Sequence, residues 1–148
     1  MRVVVDAGPL VSAAHIDDEA HALAAALLHD IGRDLLVPDP VAVEVDWNLR
    51  RRRGNAAARR FLRSLRSGAL RRVVLSETLF RRALDIDEAY ADLGLGLADA
   101  AVMAVAEAER CPILTFDFAD FRATTAGDGK PWRLVVSEAD YQRAVRPR

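Results

Sequence analysis

Five short runs rich in apolar residues punctuate the chain, at residues 2–5, 35–37, 70–75, 113–116 and 132–136. Each reads as a buried strand of a parallel sheet. Between them lie segments of helical periodicity. Pro9 can open a short helix that reaches about Ala14. Asp17 or Asp18 can cap a second helix, whose Leu23, Ala24, Leu27, Leu28 and Ile31 recur at three- and four-residue steps before Gly32. Asp39-Pro40 is a cap and first-turn signature for a helix ending near Arg53 and Gly54. Asn55 can cap the next helix, with Ala58, Phe61, Leu62 and Leu65 inward and Arg59, Arg60, Arg63 and Arg66 outward. Ser76 caps a helix containing Leu79, Phe80, Ala83 and Ile86, and an alanine-rich helix follows from about 97 to 110. A polar loop spans 123–131, and a short tail follows the fifth strand.

Strands alternating with helices predict an α/β chain, a single-domain α/β/α sandwich over residues 1–148 with a central, mostly parallel five-stranded sheet. No apolar run approaches the roughly 20 residues of a membrane span, and no secretion signal opens the chain, so the cytoplasm is the expected location. Cys111 is the one cysteine, which excludes an internal disulfide framework and a thiolate zinc site.

The net charge of −1 conceals an asymmetry. Residues 41–82 carry twelve arginines against Glu44, Asp46 and Glu77, whereas residues 83–120 carry nine acids against Arg110. A basic surface near an acidic cluster follows. Arginine, which dominates over the single lysine Lys130, suits bidentate contacts to phosphate.

Four carboxylates sit at predicted turns. Asp6 follows the first strand and Asp117 the fourth. Glu44 lies one turn into the helix opened at Asp39-Pro40, and Asp99 begins the alanine-rich helix. In a parallel sheet these positions converge on one edge. Clustered carboxylates repel unless a divalent cation offsets them or some stay protonated. Hard oxygen ligands without matching bases suit Mg²⁺ or Mn²⁺, one or two ions, and point to phosphodiester chemistry.

Ser12 and Thr115 are hydroxyls near the expected crevice, and Asp120, one turn beyond Asp117, is placed to assist. Asp46 faces elsewhere on its helix than Glu44. His15, His21 and His29 lack zinc-site spacing. The block Arg50, Arg51, Arg52 and Arg53 can pair with backbone phosphates, and nearby Trp47 can stack on an unpaired base. The alternatives are a solvated helix end favoured by the helix dipole and an ordinary core tryptophan.

The segments Val3-Val4-Val5-Asp6-Ala7-Gly8-Pro9-Leu10-Val11, Val43-Glu44-Val45, Leu97-Ala98-Asp99-Ala100 and Thr115-Phe116-Asp117-Phe118-Ala119-Asp120-Phe121 resemble the PIN domain. More narrowly, the chain resembles a VapC-type toxin of a type II toxin–antitoxin pair. The resemblance implies a metal-dependent endoribonuclease on a sheet of order 3-2-1-4-5, with Asp6, Glu44, Asp99 and Asp117 as the acidic ligands and Thr115 as the hydroxyl before the last acid. It also implies an RNA substrate, a homodimer, and a cognate antitoxin whose C-terminal segment covers the active-site groove. Ala7-Gly8 stands where many such proteins carry a hydroxyl, which leaves Ser12 as the nearer candidate.

The function read from the sequence is therefore RNA hydrolysis by metal-activated water. Two alternatives are a phosphatase or phosphoryl-transfer domain and a non-catalytic module that keeps the fold for partner regulation. Gly8 stands where a haloacid-dehalogenase type needs its second aspartate, and the presence of all four acids argues against a dead module.

Overall fold

In a computed structural model, which describes residues 1–146, four strands form one parallel sheet of order β3-β2-β1-β4. They are β1 (Val3–Val5), β2 (Leu35–Pro38), β3 (Arg71–Val73) and β4 (Ile113–Leu114). The helices are α1 (Ala7–Ala14), α2 (His21–Ile31), α3 (Asp39–Arg53), α4 (Asn55–Arg66), α5 (Glu77–Ala89), α6 (Gly96–Glu109), α7 (Phe118–Ala123) and α8 (Glu138–Val145). The α/β reading from the sequence holds.

The expected fifth strand does not form. Its residues nevertheless lie beside β4, where Leu134 makes one isolated parallel bridge to Ile113. Ile113 donates to Arg133 O at 2.8 Å and accepts from Val135 N at 2.9 Å. The bridge stops there because β4 has only two residues. Pro112 before it has no N–H to continue the ladder. After it, Thr115 Oγ1 accepts from Asp117 N at 3.0 Å and turns the chain out of the sheet. Asp117 therefore follows a turn, not a strand, and leads into α7.

Several helix starts also differ from expectation. Pro38 occupies the N-cap position of α3, and Asp39 is its first residue. The Asp39 carboxylate instead takes two bonds from Arg72 of β3, at 2.6 and 3.1 Å, which ties the edge strand to α3. Gly54, at φ 88°, precedes α4, and Asn55 Oδ1 accepts from Arg50 instead of capping. Neither Asp17 nor Asp18 caps α2; Asp18 Oδ1 accepts from Ala20 N in a tight turn ahead of the helix. Leu62 is exposed, because α4 buries Ala57, Ala58 and Phe61 instead. The expected tail contains α8.

β1, β2 and β4 are wholly buried, whereas the edge strand β3 exposes Arg71 and Arg72. Every residue from Ala100 to Ala106 in α6 is buried. A helix apolar all round belongs in a core, and its alanines let α3, α5 and the sheet approach closely. Leu35, Leu49, Met103, Ile113 and Leu114 are fully buried, each removal from water being worth about 1.5–3 kcal/mol. This core fixes the strand ends. Because the strands are parallel, the ends of β1, β2 and β4 open onto the same edge, and a cleft of about 790 Å³ lies there.

Candidate active site

Asp6 is the most buried carboxylate lining the cleft, 7% exposed. It is placed by β1 on one side and α1 on the other, as the helix N-cap accepting from Ala7 N at 2.8 Å. Its second oxygen accepts from Thr115 Oγ1 at 2.9 Å. Burial raises its pKa, against the pull of these two bonds.

Asp99 enters from the first turn of α6 and Asp117 from the turn after β4; both line the cleft. Asp99, Asp117 and Asp120 bring one carboxylate oxygen each within 4.8 Å of one another. The pKa of Asp99 is pushed up from 3.8 to about 8, first by burial, then by the charge of Asp6 and by Asp120 and Asp117. Asp117 is raised by burial and then by Asp120. Glu44 lines the same cleft from α3 but is exposed; burial and the charge of Asp6 raise its pKa.

All four carboxylates expected from the sequence thus border one cleft. The tightest trio, however, includes Asp120 and leaves Asp6 and Glu44 outside it. Asp120 was expected only to assist, because spacing alone does not show that α7 starts directly after Asp117 and folds its first turn back toward Asp99. Four raised carboxyls side by side are an unfavourable arrangement by themselves. The donor set is all oxygen, contains no histidine or thiol, and fits a hard divalent cation.

The PIN domain family profile matches residues 3–126. The chain belongs to the PIN-domain family. No curated protein sequence matches it. Among solved structures, this PIN domain is similar to Mycobacterium tuberculosis VapC20, described as a sarcin-ricin loop cleaving toxin. The TM-score is 0.75 at 19% identity, covering 84% of this chain and 96% of that one. It is also similar to a toxin–antitoxin complex from Klebsiella pneumoniae, with TM-score 0.62, 18% identity and coverage of 89% and 99%. A third is VapBC2 from Rickettsia felis, bound to a DNA fragment from its promoter, with TM-score 0.61, 15% identity and coverage of 83% and 92%.

Gly8 of this PIN domain lines the cleft without a hydroxyl, and buried Ser12 lines it one turn further along α1. On α3, Trp47 lines the cleft and is 55% exposed, with the Arg51 guanidinium 4.6 Å from its ring centroid. The basic block is not uniform. Arg50 is held by Asp46 at 3.0 Å, its pKa raised by that bond, and Arg53 lies 3.9 Å from Asp17.

Sequence reasoning missed Tyr141. It reaches the cleft from α8, beyond the profile match, with its ring 4.8 Å from Phe116 and 5.4 Å from Phe118. A signal was present: Ser137-Glu138-Ala139-Asp140 is a helix-start pattern, and Ser137 Oγ accepts from Asp140 N at 3.1 Å.

Among the described residues no helix is long and apolar enough to cross a membrane.

Proposed function

We propose that this PIN domain is a divalent-metal-dependent endoribonuclease, the toxin of a type II toxin–antitoxin pair. The observation that carries the reading is the trio Asp99, Asp117 and Asp120, with oxygens within 4.8 Å, beside buried Asp6 in an open cleft. Toxin and toxin–antitoxin relatives of the same fold support it.

Asp99, Asp117 and Asp120 would hold Mg²⁺ or Mn²⁺, with Asp6 and Glu44 lining the remainder of the pocket. When bound, such an ion neutralises charge on phosphate oxygens and activates water as a nucleophile at neutral pH. The chain supplies the rest. Thr115 fixes the rotamer of Asp6 and at the same time the turn that carries Asp117, so two acids far apart in the chain hold one geometry. Exposed Glu44 is free to accept a proton at the cleft mouth. Arg51 and Arg52, on the same helix as Trp47, offer positive charge to the RNA backbone.

The partner reading is a cognate antitoxin segment laid along the cleft. Its apolar rim of Pro40, Val43, Leu97 and Ala98, continuous with the acidic wall, suits an amphipathic chain. A homodimer and a cytoplasmic location belong to the same proposal.

The test is cleavage of oligoribonucleotides by purified protein with Mg²⁺ or Mn²⁺, with EDTA, and by the variant Asp99→Asn. Cleavage that EDTA and Asp99→Asn both abolish is the expected result. Cleavage that survives both would overturn the mechanism.

A further inference from the structure

Asp6, Ser12, Thr115 and Thr124 are the buried polar side chains among the described residues. Asp6 and Ser12 line the cleft, and Thr115 bonds to Asp6. Thr124 does neither, although it is only 2% exposed. A hydroxyl so deeply placed requires partners, and the ones it has are informative.

Thr124 stands at the C-terminal end of α7, in extended conformation directly after Ala123. Its Oγ1 donates to Asp120 O at 3.0 Å and accepts from Trp132 Nε1 at 2.9 Å. It also lies 4.0 Å from Met103 Sδ of α6. A hydroxyl has one proton to give, and an indole N–H can only donate. The direction of the chain is therefore fixed, from Trp132 to Thr124 to the main chain of Asp120.

Each end of that chain is anchored. The residue after Trp132, Arg133, accepts from Ile113 N at the sheet edge. Met103 lies one turn beyond Asp99 on α6. Between them, α7 is six residues long, with Asp117 at its N-cap and Asp120 in its first turn. A helix that short does not hold itself in water. Its start is held by Thr115 Oγ1, which accepts from Asp117 N, and its end by Thr124. A buried threonine hydroxyl thus pins α7 at both ends. The second pin sits where the two helices that supply Asp99 and Asp120 meet.

Resting on the metal-dependent reading above, we propose that Thr124 and Trp132 are positioning residues for the carboxylate trio. They set where α7 stands against α6, and so hold Asp117 and Asp120 against Asp99. Neither side chain is a metal ligand. Carboxylate oxygens within 4.8 Å of one another repel, and the helix that carries two of them must be restrained from outside. Partners one bond behind metal-binding groups are worth about 10- to 100-fold in metal affinity.

The experiment is calorimetric titration with Mn²⁺ alone, on wild type, Thr124→Val, Thr124→Ser, Trp132→Phe and the double variant Thr124→Val with Trp132→Phe. Ser76→Ala is the control. It removes the N-cap of α5, a helix that contributes no residue to the cleft, and so lowers Tm without touching α7. Thr124→Val is expected to weaken Mn²⁺ binding about tenfold or more. Trp132→Phe keeps the ring and loses the N–H, and should show a smaller loss. The double variant should lose no more than Thr124→Val, because both substitutions break one chain. Thr124→Ser should restore most of the affinity, and Ser76→Ala should bind Mn²⁺ as wild type does. In RNA cleavage, the Mn²⁺ concentration giving half-maximal rate should rise in the same ratio, with KM for RNA unchanged at saturating Mn²⁺. Wild-type Mn²⁺ affinity in folded Thr124→Val and Trp132→Phe, an equal loss in Ser76→Ala, or additive losses in the double variant would overturn the proposal and leave the nuclease reading intact. Failure of wild type to bind Mn²⁺ would instead overturn the metal-dependent reading, and this role with it.

Discussion

Thr115 and Asp6 are 109 residues apart in the chain and joined by one hydrogen bond of 2.9 Å. The same hydroxyl accepts from Asp117 N at 3.0 Å. One buried side chain thus sets both the most buried carboxylate and the turn that delivers the next one. Thr115→Val keeps the shape and removes the hydroxyl. Because it leaves Asp6 buried with one partner fewer, it is expected to destabilise the fold by about 1–3 kcal/mol. The pKa of Asp6 should rise further, and Mn²⁺ affinity at neutral pH should fall. Chemical denaturation and calorimetric Mn²⁺ titration measure the two effects, and unchanged values in both would remove this role.

Raised carboxyl pKa values make the metal-free protein sensitive to pH. Asp99 holds its proton to about pH 8 in the fold but only to about 3.8 when ordinary. Between those values the folded state binds the extra proton, so stability falls as pH rises through that window. Asp6, Glu44 and Asp117 are shifted the same way. Glu107, held low by Arg82, acts only below its ordinary 4.5, where its stabilising contribution fades as pH falls. Thermal melts in EDTA should therefore show Tm decreasing from about pH 5 to pH 8. Added Mn²⁺ should raise Tm most at the alkaline end. A flat profile would show that the carboxyls are less crowded than described.

Asp99→Asn separates stability from activity. It removes a charge that burial and neighbouring carboxylates disfavour, so the metal-free variant should melt higher than wild type near pH 8 and show a shallower pH profile. It should also bind Mn²⁺ at least tenfold more weakly, having lost one of three converging oxygens. A lower melting point in EDTA at that pH would contradict the electrostatic account.

The arginines of α3 should not be equivalent. Arg50 is engaged by Asp46 and Asn55, whereas Arg52 makes no ion pair among the described residues. Arg52→Glu with Arg51→Glu should weaken binding of single-stranded RNA and lower the salt dependence, by about 0.7 in the log–log slope for each phosphate no longer neutralised. Arg50→Glu should act mainly on the stability of α3. Fluorescence anisotropy across a salt series distinguishes them, and equal slopes in all variants would place the RNA elsewhere.

Much of this molecule was legible from periodicity. The apolar runs at 2–5, 35–37 and 113–116 became the three buried strands, because residues buried on both faces of a parallel sheet must be continuously apolar. The acids that follow them landed on one edge, because parallel strands all end on the same side. What the sequence could not decide was local competition. Asp39 could cap a helix or bind Arg72, and only the proximity of β3 settled it. Residues 132–136 could continue the sheet, but a two-residue β4 offered them a single bridge. The promotion of Asp120 into the tightest carboxylate trio, and the arrival of Tyr141 at the cleft, depended on where α7 and α8 pack. Chain order carries which residues are apolar and which can ionise; only tertiary packing sets the distances between groups, and electrostatics and hydrogen bonding depend on distance.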